Sequence, residues 1–198
     1  MRDQFLISGL FYTKQNYKFR KYLNIKLRAT QKTIPDLIVI MMNPGGSFPL
    51  DHNDNAIVES EANPDRTQNQ IMKVMLECGV AYTRILNLSD IRDTRQLNLF
   101  QAIANMENSG IAHSIFDKRR KNDFQELFVP NVPVLLAWGV NERLRPLALK
   151  AIETLGDTKV LGIQKEASDF GYYHPLPFST PKQKKWVEEI SRQLKNKI

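Results

Sequence analysis

Leu37-Ile38-Val39-Ile40-Met41-Met42-Asn43-Pro44-Gly45-Gly46 is the stretch on which the fold turns. An apolar run of strand length is stopped abruptly by residues that form turns. A strand with one wet face alternates apolar and polar residues, whereas an unbroken run is buried on both faces. Such a strand belongs in a parallel sheet covered by helices on either side.

The flanks repeat this grammar. Upstream, residues 5–28 are strand-rich, with Tyr17, Phe19, Tyr22, Ile25 and Leu27 set among basic residues. They predict an N-terminal hairpin with Leu23-Asn24 near its turn. Downstream, Thr83–Leu86, Val132–Trp138 and Lys159–Ile163 read as further strands. Helical spacing covers 67–78 with Gly79 as a left-handed stop, then 97–106, 111–128, and 141–155 closed by Gly156. A last helix starts at Thr180-Pro181, a cap followed by a proline in the first turn. Strands alternating with helices predict a three-layer α/β/α fold with a central four-stranded parallel sheet plus an N-terminal β-hairpin. One domain is expected over 1–198, with 1–32 a basic hairpin decoration and 180–198 a basic C-terminal helix.

Composition narrows the function classes. The chain has 198 residues, net charge +7 and a single cysteine, Cys78. A lone cysteine gives no internal disulfide and no cysteine-based metal site. No signal-like N-terminus and no membrane-length apolar run is present, so a soluble cytoplasmic protein is expected. The charge is uneven: residues 1–32 carry eight Lys or Arg against one Asp, and 182–198 carry six against two Glu. The stretch between them is net acidic. Basic ends suit a polyanionic partner, nucleic acid or nucleotide, and equally a solvated surface. The cluster Lys118-Arg119-Arg120 is a further candidate contact for nucleic acid.

Ligands of open parallel sheets bind beyond the carboxyl ends of the strands. The four predicted strands deliver Asn43-Pro44-Gly45-Gly46, Asn87, Trp138-Gly139 and the loop containing His174-Pro175 to that rim. The two glycines permit either a tight turn or close approach of a ligand to the backbone. No Walker A and no GxGxxG pattern is present, so nucleotide triphosphate hydrolysis is disfavoured, and no cofactor is expected. Asn87 offers a donor and an acceptor side by side, which matches a nucleobase edge or buried backbone groups. Trp138 leans toward the core. His174 could donate a proton or a hydrogen bond to a leaving oxyanion. His52, His113 and His174 lack metal-ligand spacing, and no metal is expected.

Four ordered blocks carry a resemblance: Leu37 to Pro44, Ile85 to Thr94, Leu135 to Gly139, and Leu161-Gly162 followed by His174-Pro175-Leu176. From about residue 17 to 180 the chain resembles DUF1643, a bacterial and phage family of unknown function. More distantly it is similar to the uracil-DNA glycosylase superfamily, in which a strand precedes a short Pro-containing water-activating motif. That resemblance implies that Asn43 positions water, Asn87 reads the base and His174 stabilises the leaving base. It also implies that Leu176 and Phe178 lie on a loop that wedges into DNA. The pattern departs at two places: Asn43 stands where other branches have an Asp, and Leu176 stands where Ser follows His-Pro. Asn43 can orient water but cannot take its proton.

Three readings follow. The first is hydrolysis of an N-glycosidic bond, with Pro44, Gly45, Gly46, Asn87, Trp138 and Gly139 binding the substrate. The second is a module that binds a nucleotide or nucleic acid and leaves it intact, favoured by the missing base. The third is a small-molecule enzyme using the loop acids Asp51, Asp54, Asp65 or Asp90.

Overall fold

A computed structural model describes residues 1–54 and 57–197. The strands in chain order are β1 (Phe5–Lys14), β2 (Tyr17–Leu27), β3 (Leu37–Met41), β4 (Phe48–Pro49), β5 (Ser60–Asn63), β6 (Tyr82–Asn87), β7 (Val134–Leu136) and β8 (Val160–Leu161). The helices are α1 (Arg66–Cys78), α2 (Gln96–Asn108), α3 (Lys121–Leu127), α4 (Arg145–Leu155) and α5 (Thr180–Lys195). The strands form one sheet in the order β4-β5-β1-β2-β6-β3-β7-β8.

The chain is thus mixed α/β, but the expected four-stranded parallel core with a detached hairpin is corrected. β3 pairs in parallel with β6 and β7, and β7 with β8. Antiparallel pairing nevertheless predominates, because β2 adds to β6 from Leu23↔Ile85 to Lys26↔Tyr82 and carries β1 and β5 outward. The hairpin is therefore structural sheet, not decoration. Its turn also moves: Gln15 and Asn16, at φ 47° and 63°, supply the two left-handed residues that a tight hairpin needs. Leu23-Asn24 lies mid-strand instead.

β3 behaves as its unbroken run predicts. Leu37, Val39 and Met41 pack on one face with Ile71, Val74 and Met75 of α1 and Val187, Ile190 and Leu194 of α5. Ile38 and Ile40 pack on the other with Leu99 and Ile103 of α2 and Leu147 and Ala151 of α4. All five strand residues are at most 2% exposed, so water touches neither face.

α1 starts with a reciprocal cap, in which Asp65 accepts from the Thr67 and Gln68 amides and Gln68 returns a bond to the Asp65 amide. It stops at Gly79 in the left-handed region. The helix expected over 111–128 shrinks to α3 behind a 3-10 turn at Lys118–Arg120. Residues before it form a buried loop: Ile111, Ile115 and Phe116 fill the core, and the Asp90 amide donates to the His113 carbonyl at 2.8 Å. At the far edge, Gly162 follows β8 and pairs both backbone groups with the Gln193 side chain, at 3.0 and 3.3 Å.

Candidate functional site

The carboxyl ends of β3 and β6 continue past their strands as a shared ladder. The Leu88 amide donates to Met41 and the Ser89 amide to Met42. Asn43 then ties the β3 end to the loop after β6, its Nδ2 donating to the Ile91 and Asp93 carbonyls at 3.2 and 2.7 Å. Half of the amide is thereby fixed, leaving Oδ1 as the group that can meet a water.

Beyond this end lies a cavity of about 570 Å³, lined among others by Asn43, Gly45, Gly46, Asp65, His174 and Leu176. Its size falls within the range typical of small-molecule sites. Gly45 makes the cavity possible in two ways. Its φ of +60° suits glycine, and a Cβ there would stand 2.7 Å from Asp65 Oδ2. Asp65 uses Oδ1 to cap α1, so Oδ2 is the oxygen turned toward Gly45.

His174 faces the same cavity. The Leu176 amide donates to its Nδ1 at 3.2 Å, so the neutral ring carries its proton on Nε2. Burial holds the ring below the usual histidine range, while the Asp65 carboxylate pulls the other way. A second cavity of about 530 Å³ adjoins the first, sharing Met42, Gln96, His174 and Leu176, with Trp138 and Gly139 in its wall. Trp138 is nevertheless a core residue, 1% exposed, with Nε1 donating to the Phe170 carbonyl at 2.8 Å. Gly139, at φ 103°, bridges the backbone of Tyr172. A larger cavity of about 660 Å³, bounded by Pro133 and Lys159, lies at the amino ends of β7 and β8, away from this rim.

The predicted residues divide. Asn43, Gly45, Gly46 and His174 come together around one cavity, and Leu176 joins them. Phe178, further along the same loop, is fully exposed. Asn87 does not line the cavity: it is fully buried, and neither amide atom has a hydrogen-bond partner. Pro44 turns its carbonyl inward to Arg20. Lys118, Arg119 and Arg120 are elsewhere. Arg120 is held by Asp90 and Asp123 at 2.5 and 2.8 Å, and the exposed Arg119 by Asp117 at 2.6 Å; Lys118 is exposed as well. Arg119 and Arg120 border another cavity, with Tyr12 and Lys21.

Of the four loop acids, only Asp65 faces the crevice. Asp51 caps Asn53 and meets Ser60, Asp54 pairs with Lys18 and Arg92, and Asp90 pairs with Arg120. Arg20 was missed altogether. It sits on β2, fully buried, with Nη1 donating to the Pro44 carbonyl at 3.4 Å. Burial brings its pKa down to about 10, against the pull of Asp65 and Asp90. Among the described residues, no three His, Cys, Asp or Glu gather to hold a metal ion, and no helix is long and apolar enough to cross a membrane.

These features define a mixed α/β protein with a crevice at the carboxyl ends of its central strands. A family model matches residues 22–176, and the chain belongs to that family, described as protein of unknown function (DUF1643). No curated protein and no solved structure matches the chain.

Proposed function

We propose that the crevice binds a nucleotide, free or within a nucleic acid, and hydrolyses its N-glycosidic bond. The observation that carries this reading is the convergence of Asn43, Asp65 and His174 on one cavity. Hydrolysis of that bond needs a group to orient and activate water and a donor for the departing base. Asp65 Oδ2 supplies the carboxylate absent from the position of Asn43, and Asn43 Oδ1 holds the water beside it. His174, kept neutral by burial, donates through Nε2 to the negative charge that develops on the leaving base. Leu176 forms the crevice wall, and the exposed ring of Phe178 is suited to wedge between bases, as extrusion of a base from a duplex requires. The glycosylase-like arrangement of water-positioning and base-stabilising residues remains part of this proposal.

Asp65→Asn provides the sharpest test, because asparagine caps a helix about as well as aspartate and isolates the loss of charge. Nucleosides, nucleotides and oligonucleotides bearing uracil, hypoxanthine or mismatches are incubated with wild type, Asp65→Asn and His174→Gln, and free base is quantified. Release by wild type that falls about 100-fold or more in each variant is expected, the usual scale of a lost acid or base. No base released across the panel, or equal release by Asp65→Asn, overturns the reading. Salt-sensitive binding without release would instead mark a module that holds its ligand intact.

A further inference from the structure

The least expected side chain in the molecule is Arg20. It is 0% exposed, and among the described residues no carboxylate lies within ion-pair distance of it. Its guanidinium makes a long contact to the Pro44 carbonyl, and both Nε and Nη2 are buried without partners. Two other side chains share this condition. Asn87 has neither amide atom paired, and Ser47, three residues beyond Pro44, has a buried unpaired Oγ. Buried polar groups are nearly always hydrogen-bonded, so several together need an explanation.

Strand order brings Arg20 and Asn87 together. Arg20 pairs with Phe11 and shares its face of the sheet, the face covered by α1 and α5. Asn87 pairs with Met41 and lies on that same face, two residues from Ile85. β6 lies between β2 and β3, so the side chain that reaches from Arg20 to Pro44 crosses β6 at its carboxyl end, where Asn87 projects. The turn that lines the crevice at Asn43, Gly45 and Gly46 continues directly into buried Ser47. The turn that walls the crevice thus carries, at its next residue, one of the buried unpaired groups.

We propose that Arg20, Asn87 and Ser47 form an inner oxyanion subsite of the crevice, which takes a phosphate group when the Asn43–Ser47 turn shifts. The chemistry of the donors selects the ligand. The Nε and Nη2 edge of a guanidinium is a planar fork that matches two oxygens of one phosphate. The Asn87 Nδ2 and the Ser47 hydroxyl add neutral donors; the Asp65 and Asp90 carboxylates act on the guanidinium from beyond ion-pair distance, Asp90 pairing through Oδ2 with Arg120 while its Oδ1 is buried without a partner. This inference rests on the crevice reading only in naming a nucleotide as the source of the phosphate; free inorganic phosphate is the other source.

The test uses the full chain and two probes, inorganic phosphate and a nucleoside 5′-monophosphate, each against chloride of equal ionic strength. Wild type should gain about 3 °C or more in Tm once the probe exceeds about ten times its Kd. Arg20→Met should lose that gain while remaining folded in chloride, since an apolar residue removes an unpaired buried charge. Lys118→Met, an exposed cation outside the crevice, should keep it. A response to the monophosphate alone identifies a nucleotide; an equal response to both identifies free phosphate. If Arg20→Met does not fold, crystals grown with tungstate decide: density within hydrogen-bond distance of Arg20 and Asn87 supports the subsite. No gain in wild type with either probe, an undiminished gain in Arg20→Met, or ordered water alone at Arg20 overturns it. Phosphate binding without base release would sink the hydrolytic reading and leave this one standing. Release from unphosphorylated nucleosides with no phosphate response would do the reverse.

Discussion

Replacing His113 should remove a large part of the acid sensitivity of the fold. His113 is 3% exposed, and its Nδ1 lies 3.0 Å from Ser89 Oγ. Burial first, and then the positive charges of Lys150, Arg120 and Arg119, lower its pKa from 6.5 to about 4, with Asp117 opposing. The unfolded chain, having the higher affinity for the proton, gains it first as pH falls. Stability contributed by neutral His113 is therefore full above pH 6.5 and declines as pH falls toward about 4, after which the loss levels off. The gap between the two values limits that loss to about 3 kcal/mol, of which about 2 kcal/mol is already gone at pH 5. Asparagine places an amide where Nδ1 stood and does not titrate. Urea unfolding followed by tryptophan fluorescence at pH 8 and pH 5 should show wild type losing about 2 kcal/mol more than His113→Asn on acidification. The lost ring volume lowers the variant at both pH values and drops out of that difference, as does Asp90, which is common to both chains. Equal losses in the two proteins would refute the reasoning.

Three other outcomes follow from the same packing. Gly45→Ala should lower stability by about 2 kcal/mol, combining a left-handed alanine with displacement of the Asp65 cap, read as a fall in Tm. Arg120→Met should cost about 3 kcal/mol at pH 8 by leaving Asp90 buried and unpaired. Burial already raises Asp90 to about 6 despite Arg120, so without that cation the carboxyl takes up its proton more readily still. The deficit of the variant should accordingly shrink between pH 8 and pH 5 in the same urea assay. Phe178→Ala should change stability by less than about 0.5 kcal/mol, because the ring is fully exposed, while weakening any duplex binding measured by fluorescence anisotropy.

Legibility tracked locality. β3, α1 with Gly79 and α4 with Gly156 could be read because their burial pattern and stops are written in adjacent residues. The hairpin turn could not, since Gln15-Asn16 contains no glycine and its left-handed geometry is imposed by the strands it joins. The 111–128 stretch carries apolar residues at helical spacing, yet Ile111, Ile115 and Phe116 reach the core from a loop pinned to Asp90. Asn43 and His174 were found because strand ends and the following loop put them on one rim. Asp65 was one of four equivalent loop acids until tertiary pairing occupied the other three. Its capping relation to Gln68 explains where α1 starts but not why a crevice lies there. Arg20, in a basic hairpin, read as one more solvated charge; only the order β2-β6-β3 takes it under the turn.

The amide of Gln193 has a consequence for how copies of this chain meet. An exposed sheet margin offers unpaired backbone groups on which another chain's strand can grow. Here the outer margin at β8 is two residues long, and at Gly162 a side chain from α5 imitates the peptide of a missing ninth strand. The sheet is thus terminated from within its own chain, and Gln193 acts as a guard against runaway strand-to-strand association.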